Sequence, residues 1–368
     1  MNDFDREIAL YKIQNIIAEK IKNNTERNYE IFKKKIKPLL EERNKILLGD
    51  EVLIKKYLEM REDYDMTEEE IDRYTDIALI DFLMDGNTSK SPEVTFVVGQ
   101  PGAGKTLLAA FATREIQSRD SNENLPINLN ADKVATYHKY YKELLKYAPE
   151  ERYNASRKFV NPAIKEIQEK LIDKDISMVM ECTLNSNKKL ALMDRIRKRG
   201  YKSNVKVMVV NEFESRMSTM EREAQMLKYG EKPRGIDKKT HDEPYYAMLG
   251  NLSAIMEKSC WDSVSLYRRG PNNSDPEEFF SANNNTTGYE LVSKIKAERQ
   301  RQMEELRKKP EEYYSRVQNV REIFEKLYMS NTSKEDAIAR LNELEKDYTE
   351  FLTKRNLEDK TDRDLEEK

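Results

Sequence analysis

The chain contains the stretch Val94-Thr-Phe-Val-Val-Gly-Gln-Pro-Gly-Ala-Gly-Lys-Thr106, an apolar run that leads into a glycine-rich loop. The apolar run predicts a β-strand, and Leu107-Leu-Ala-Ala-Phe-Ala112 after the loop predicts a helix. The loop itself matches the pattern G-x-x-x-x-G-K-[ST] of phosphate-binding P-loops, which requires this strand–loop–helix order. Its residues are Gly99, Gln100, Pro101, Gly102, Ala103, Gly104, Lys105 and Thr106.

The residue types in this loop suit nucleotide phosphates. Glycines let backbone N–H groups close around phosphate oxygens, and the following helix adds the positive end of its dipole. Lys105 can reach the β- and γ-phosphates, and the Thr106 hydroxyl can ligate Mg²⁺. We therefore expect a nucleotide site at residues 99–106, with Thr106 as the metal ligand.

Further short apolar runs alternate with charged helical patterns along the chain. They lie at 126–129, 176–180, 205–210 and 264–267. Strands separated by helices form βαβ units, whose right-handed crossovers place helices on both faces of a largely parallel sheet. The predicted fold is α/β: a P-loop kinase-like, doubly wound, mostly parallel sheet flanked by helices, with helical N- and C-terminal extensions.

The pattern divides the chain into four regions. A capping box, Thr67-Glu-Glu-Glu70, lies in a helical N-terminal extension, and the breaker-rich Gly270-Pro-Asn-Asn273 opens a linker. We expect a disordered tail after Leu357, which has little apolar surface to bury. The predicted regions are the extension 1–88, the kinase domain 89–270, the linker 271–288 and a charged helical extension 289–368.

Composition excludes several classes of function. The chain has 65 basic and 68 acidic residues and a net charge of −3, which disfavours a dedicated nucleic-acid binder. Two cysteines and two histidines cannot supply a disulfide framework or a Cys/His zinc cluster. We find no signal peptide and no apolar run near the roughly 20 residues that span a bilayer. These features predict a cytoplasmic protein without a membrane span.

A P-loop alone does not separate kinases from GTPases and motor ATPases. The stretch Asn187-Lys-Lys-Leu190 lacks the Asp of a guanine-reading motif, and Met178-Val-Met-Glu181 lacks the Asp that precedes Glu in assembly ATPases. A small-molecule kinase remains, and it needs a carboxylate beside the attacking hydroxyl. Asp132, just past the second predicted strand, fits this role because parallel strands end at one crevice. The alternative is that Asp132 is the N-cap of a helix starting near Lys133.

Other candidates lie farther along the chain. Glu181 and Thr183, at the end of the third strand, can bind substrate hydroxyls or a metal-bound water, or can simply cap the strand. Arg222 and Arg234 can lie over the charge that develops in phosphoryl transfer. Taken alone, each of these arginines is more typical of a solvated surface.

The chain resembles the zeta toxins, the P-loop kinases of bacterial toxin–antitoxin systems, because several of its motifs align in the same order. The resemblance covers roughly 91–270. It rests on the loop at 99–106, Asn130-Ala-Asp132, Glu181-Cys-Thr183, Gly200-Tyr201, Met220-Glu-Arg222, Arg234 and Thr240-His-Asp242.

The resemblance implies a bacterial cytoplasmic kinase that uses ATP and Mg²⁺ to phosphorylate the 3′-hydroxyl of UDP-N-acetylglucosamine, which poisons cell-wall synthesis. It implies that Asp132 is the catalytic base and that Lys105 and Thr106 bind ATP and Mg²⁺. Glu181 and Thr183 would contact the sugar nucleotide, and Arg222 and Arg234 would clamp the phosphates.

The chain departs from the family pattern in the acceptor half. Cys182 stands where the family usually has Gly, and Leu192 aligns with a sugar-binding threonine. The position of a substrate-contacting Glu falls at Lys165, with Glu166 one residue away. The nucleotide half is therefore better matched than the acceptor half.

Two alternatives stay open beside the sugar-nucleotide kinase. One is a P-loop kinase for another hydroxyl, on a nucleoside, a dinucleotide or a polynucleotide 5′-end; the near-neutral charge disfavours the last. The other is a nucleotide-gated protein whose helical ends bind partners. Because zeta toxins are held inactive by helical antitoxins, the resemblance also implies an antitoxin, either in trans or in cis through residues 1–88. The bland alternative for this segment is that it completes the core.

Overall fold

The structure is a computed structural model of the chain. It describes residues 3–22, 29–59, 64–119, 125–147, 152–184, 188–229, 233, 235–259, 261–271, 274–328 and 331–366. These residues form two compact units, Met1–Asp65 with Tyr140–Ala155, and Met66–Lys139 with Ser156–Lys368. Within the described residues, no helix has both the length and the apolar character needed to cross a bilayer.

The helices and strands follow one another along the chain in this order: α1 (Asp3–Lys22), α2 (Tyr29–Leu47), α3 (Glu51–Glu59), α4 (Glu68–Asp85), β1 (Glu93–Val98), α5 (Lys105–Arg119), β2 (Ile127–Leu129), α6 (Ala131–Ala135), α7 (Tyr141–Tyr147), α8 (Arg152–Asp173), β3 (Met178–Cys182), α9 (Lys188–Lys198), β4 (Lys202–Met208), α10 (Glu212–Lys228), α11 (Lys238–Lys258), β5 (Ser263–Arg268), β6 (Glu277–Ser281), α12 (Gly288–Arg307), α13 (Pro310–Leu327) and α14 (Asn331–Glu366).

The smaller unit is helical. Its helix α1 packs against α2 and α3, and Ile13, Ile46 and Tyr57 are buried in the shared core. The Tyr57 hydroxyl donates a hydrogen bond to Glu42 Oε2 at 2.6 Å. A buried aromatic ring thus keeps a partner for its polar end, as buried tyrosines usually do.

The larger unit is built on a six-stranded sheet with the order β2-β3-β1-β4-β5-β6. The pairs from β2 to β5 are parallel, and β6 pairs antiparallel with β5. Alternate residues of the buried strand β1 face opposite layers. Phe96 and Val98 pack in the core that includes α8 and α9, whereas Val97 packs with α5. The prediction of a mostly parallel sheet with helices on both faces is confirmed.

The capping box predicted ahead of α4 is also confirmed. The Glu70 N–H donates to Thr67 Oγ1 at 3.2 Å, and the Thr67 N–H donates to Glu70 Oε2 at 3.1 Å. Phe82 and Ala78 of this helix are fully buried in the core of the larger unit. The helix α4 therefore belongs with the sheet and not with α1–α3.

Two stretches differ from the sequence-based expectation. The segment 271–288, interpreted as a linker, contains β6, whose Glu278 accepts a hydrogen bond from the Tyr267 hydroxyl at 2.8 Å. The chain after Leu357, expected to be disordered, continues α14 to Glu366.

The C-terminal helices share a hydrophobic core with α10. Apolar residues of α13 and α14 pack over one face of α10. The members of this core are Phe213, Met217, Met220 and Ala224 from α10, Tyr313, Val317, Val320, Ile323 and Phe324 from α13, and Ala337, Leu341, Leu344 and Tyr348 from α14.

Ion pairs reinforce this packing. Arg340 on α14 lies 2.6 Å from the buried carboxylate of Glu223 on α10, and Arg216 on α10 lies 2.5 Å from Asp347 on α14. Removing one partner of a buried pair leaves an uncompensated charge. The two pairs therefore fix how α14 lies along α10.

Candidate active site

The predicted P-loop connects the carboxyl end of β1 to the first turn of α5, which begins at Lys105. Two of its glycines adopt left-handed backbone conformations, with φ of +74° at Gly102 and +98° at Gly104. The Ala103 N–H donates to the Gln100 carbonyl at 3.2 Å and closes the turn. Such turns present backbone N–H groups to one side, which is the geometry of anion cradles.

Helix α10 lies directly against this loop. A Cβ atom added at Gly102 would stand 2.0 Å from the Ser215 carbonyl oxygen and 2.9 Å from Thr219 Cγ2. Because no side chain fits in that space, the loop and the helix meet backbone to backbone. Gly102 is required both by its φ and by this contact.

Two hydrogen bonds attach the loop to the sheet. The fully buried Gln100 side chain donates to the Val210 carbonyl, just beyond β4, at 2.8 Å. The Gly99 N–H donates to the Cys182 carbonyl at the end of β3, at 3.3 Å. The loop is therefore held by both strands that flank β1.

The side chains of Lys105, Thr106 and Glu181 lie where α5 begins. Lys105 Nζ donates to the Gln100 carbonyl at 3.0 Å, and the Thr106 hydroxyl donates to Glu181 Oε2 at 3.2 Å. Burial lowers the pKa of Lys105, and the Glu181 carboxylate opposes that shift. Burial also raises the pKa of Glu181, against the effects of Lys105 and the Thr106 hydrogen bond.

These groups fit a magnesium nucleotide. Mg²⁺ prefers hard oxygen ligands such as the Thr106 hydroxyl and the Glu181 carboxylate. A phosphate in the loop would face the desolvated ammonium of Lys105 and the first turn of α5.

Asp132 lies at the second position of α6, just after β2. Asn130 caps this helix, since its Oδ1 accepts from the Lys133 N–H at 2.7 Å; the alternative that Asp132 is the N-cap is wrong. The Asp132 side chain is exposed. Behind the larger effects of burial, its charge acts to raise the pKa of both Lys105 and Glu181. The charge of Asp132 thus reaches both Lys105 and Glu181 at the carboxyl edge of the sheet.

The strand order determines how Asp132, Glu181 and Lys105 are arranged along the edge of the sheet. The strand β2 pairs with β3, and β3 pairs with β1. Glu181 on β3 therefore lies between Asp132, which follows β2, and Lys105, which follows β1. The strands that lead to Asp132 and to the P-loop, β2 and β1, are therefore not neighbours, because β3 lies between them.

Of the two predicted arginines, the structure describes one. Arg222 is exposed on α10, and its charge adds to burial in lowering the pKa of Lys105. Among the described residues, Arg222 has no ion pair. Arg234 lies outside the described residues, so its role stays a prediction.

The other residues predicted to bind the acceptor substrate are not connected to the P-loop in the same way. Thr183 is half-buried just after β3, next to Leu184, which has a φ of +50°. Glu166 is exposed on α8, and no hydrogen bond or ion pair joins it to the loop in the part of the chain that the structure describes. Burial raises the pKa of the Cys182 thiol, which disfavours a nucleophilic thiolate.

His241 lies beneath α10 in a buried chain of hydrogen bonds. Its Nε2 is 2.9 Å from Ser215 Oγ, and its Nδ1 is 2.8 Å from Asp242 Oδ1. Ser215 is fully buried, and its hydroxyl donates to the Asn211 carbonyl at 2.8 Å. The three side chains therefore support the helix that contacts Gly102, and they do not form an accessible nucleophile.

Sequence reasoning missed Arg269, which follows β5. Its guanidinium donates hydrogen bonds to the carbonyls of Gly102 and Ala103 in the P-loop. The one signal in the sequence is position: Arg269 comes directly after the fifth predicted strand, at the edge where the P-loop lies.

Comparisons with known proteins identify relatives of this chain. The family model described as zeta toxin matches residues 81–280, which is more than half of the chain. A curated toxin zeta of Enterococcus hirae is 26% identical over 184 residues, covering 49% of this chain and 62% of that protein. A toxin zeta of Streptococcus pyogenes is 25% identical over the same length and is covered to 61%. The chain thus spans about three fifths of the curated relatives it matches.

A solved structure has a similar fold. It comes from the PezAT chromosomal toxin–antitoxin system of Streptococcus pneumoniae, and the match covers 77% of this chain and all of that one. The TM-score is 0.52 at 18% sequence identity.

Replacing Gly102 by alanine should disturb the loop more than replacing another left-handed glycine. Gly200, with a φ of +87° and open space around it, is the matched control. We expect Gly200→Ala to cost about 1 kcal/mol of unfolding free energy, and Gly102→Ala to cost about 1–3 kcal/mol more because α10 must move. Denaturant unfolding of both variants measures the difference, and equal losses would contradict the backbone contact.

Acid should weaken the fold through His241. Burial lowers the pKa of His241, against the hydrogen bond and charge of Asp242. The unfolded chain therefore binds more protons below the ordinary pKa of about 6.5, and the free energy of unfolding should fall as pH drops below that value. We expect a smaller fall for His241→Gln than for the wild-type chain, measured by denaturant unfolding between about pH 7.5 and about pH 5.5. The same slope in both proteins would contradict a neutral buried imidazole.

Proposed function

Because the chain belongs to the zeta toxin family, we propose that it is a kinase that transfers the γ-phosphate of ATP to the 3′-hydroxyl of UDP-N-acetylglucosamine and thereby blocks cell-wall synthesis. The observation that carries this proposal is that Lys105, Glu181 and Asp132 lie at the carboxyl ends of three neighbouring strands, β1, β3 and β2, at one edge of the sheet. Phosphoryl transfer needs this combination of a cationic cradle and a carboxylate beside it.

The nucleotide half of the reaction rests on the P-loop. Backbone N–H groups of the loop and the Lys105 ammonium would bind the phosphates of ATP. Thr106 and Glu181 would hold Mg²⁺, directly or through water. When bound, Mg²⁺ neutralises charge on the β- and γ-phosphate oxygens. Arg222, which has no ion pair among the described residues, is free to bind the transferred group, and we assign Arg234 the same role.

The acceptor half rests on Asp132. Its exposed carboxylate would orient the attacking hydroxyl and accept its proton. The bond between the acceptor oxygen and the γ-phosphorus forms as the bond to the β-phosphate oxygen breaks, and ADP leaves. Glu181 and Thr183 would hydrogen-bond the sugar nucleotide, and Glu166 would contact it from α8.

The residues expected to bind the acceptor favour a second candidate substrate. Glu166 is exposed and has no hydrogen bond or ion pair to the loop within the described residues, and Leu192 is buried in the core. Since the sugar contacts expected from the family are weak here, a nucleoside or a dinucleotide is the alternative substrate. A protein in which nucleotide merely gates partner binding would hydrolyse ATP without any transfer product.

Losing the Asp132 carboxylate should stop transfer and spare nucleotide binding. We expect Asp132→Asn to lower turnover by about 100- to 10,000-fold, since proton transfer contributes that much, while ATP binding stays nearly intact. The pure chain is incubated with ATP, Mg²⁺ and a panel of sugar nucleotides, nucleosides and dinucleotides, and mass spectrometry detects the added phosphate.

Two further variants serve as controls for the Asp132→Asn measurement. Lys105→Ala should lose both binding and transfer, because it removes a cation from the phosphoryl group. Asp72→Asn, an exposed carboxylate on α4, should behave as wild type. Normal turnover by Asp132→Asn would exclude it as the base, and a product on a nucleoside alone would exclude the sugar nucleotide.

We also propose control by an antitoxin in the bacterial cytoplasm, in trans or in cis through residues 1–88. The PezAT protein belongs to a toxin–antitoxin system, which motivates the proposal. Because α4 is part of the core of the larger unit, the test removes residues 1–65 only. A cis-antitoxin predicts that the shortened chain phosphorylates its acceptor at least about tenfold faster. Unchanged activity would leave only an antitoxin in trans.

A further inference from the structure

Arg269 holds two consecutive carbonyl groups of the P-loop. Its Nε donates to the Ala103 carbonyl at 3.3 Å, and its Nη2 donates to the Gly102 carbonyl. A guanidinium is a rigid, planar fork that is always charged, so two such bonds fix the relative orientation of both acceptors.

Fixing these carbonyls also fixes the N–H groups of the same peptides. In a planar trans peptide the C=O and the following N–H point in opposite directions. With the Gly102 and Ala103 carbonyls turned toward Arg269, the N–H groups of Ala103 and Gly104 turn away from it. The Ala103 N–H closes the internal turn to Gln100, which leaves the Gly104 N–H directed to the opposite side of the loop.

Arg269 is itself oriented by α10. Its Nη2 donates to Ser218 Oγ at 3.0 Å, and its Nη1 lies 3.8 Å from Glu214 Oε2. The other oxygen of Glu214 binds Arg316 of α13 at 2.7 Å. The guanidinium is therefore held on the α10 side of the loop, with its donors turned to protein groups.

We propose that Arg269 is a positioning residue that holds the P-loop in its phosphate-binding conformation without contacting the nucleotide itself. The proposal rests on the proposed function in one respect, namely that the loop binds nucleotide phosphates. The neighbouring Arg268 provides a matched control, because it is paired with Glu277 at 3.0 Å and not with the loop.

The test measures ADP and ATP affinity of the full chain by titration calorimetry without any acceptor. Arg269→Ala should weaken ADP and ATP binding alike, by about 10- to 100-fold, since it removes two charge-assisted hydrogen bonds from the loop. Equal losses are expected because the carbonyls shape the part of the loop that cradles the phosphates common to both nucleotides. Arg268→Ala should bind both nucleotides as the wild type does.

Arg269→Lys distinguishes positioning from charge and guards against misfolding. Lysine keeps the positive charge beside Glu214 but lacks the planar fork. We therefore expect Arg269→Lys to have the thermal midpoint of the wild type in the absence of nucleotide. We expect it to recover less than half of the binding free energy that Arg269→Ala loses. Full recovery of affinity by lysine would show that charge alone matters and would overturn the proposal.

Two further results would overturn it. If Arg269→Ala binds ADP and ATP as Arg268→Ala does, the loop needs no such support. If only ATP binding is lost, Arg269 contacts the γ-phosphate directly. A wild-type chain that binds both nucleotides but phosphorylates no sugar nucleotide would refute the proposed substrate and leave this inference standing.

Discussion

The backbone contact between Gly102 and the Ser215 carbonyl oxygen sets the distance between the P-loop and α10. A side chain at position 102 would separate them, and the groups that α10 contributes would move with it. On one side, α10 presents the exposed Arg222 and orients Arg269. On the other side it is buried against α13 and α14. The nucleotide site and the C-terminal core are thus two faces of one helix.

The charges of the site are balanced against burial. Desolvation pushes Lys105 and Glu181 toward their neutral forms, and each partly restores the charge of the other. A phosphate in the loop would favour the charged ammonium of Lys105 and disfavour the charged carboxylate of Glu181. A cation at Thr106 and Glu181 would reverse the second effect. The site is therefore suited to a nucleotide and a metal together more than to either alone.

Sequence predicted what depends on contiguous patterns. The P-loop needs only spacing within eight residues, and buried parallel strands show as apolar runs, so the loop and the strands β1 to β5 were predicted. Strand β6 was not, because its charged edge sequence, Glu-Glu-Phe-Phe-Ser, pairs on one side only. The alternative that Asp132 is an N-cap is wrong, and sequence could not exclude it, since Asn130 and Asp132 are both good N-caps and only the backbone decides between them. Arg269 has no local signature, as its role depends on a loop more than 160 positions away.

The packing of α13 and α14 on α10 bears on how far the functional unit extends. The family match ends at residue 280, yet the apolar side of α10 is covered by side chains from beyond that limit. A shorter protein built on the same sheet would expose Phe213, Met217 and Met220 to water. It would need polar residues at these positions, or a separate polypeptide in place of the two helices. An apolar composition of this one helix face therefore indicates that a member of the family needs a covering layer such as α13 and α14 provide.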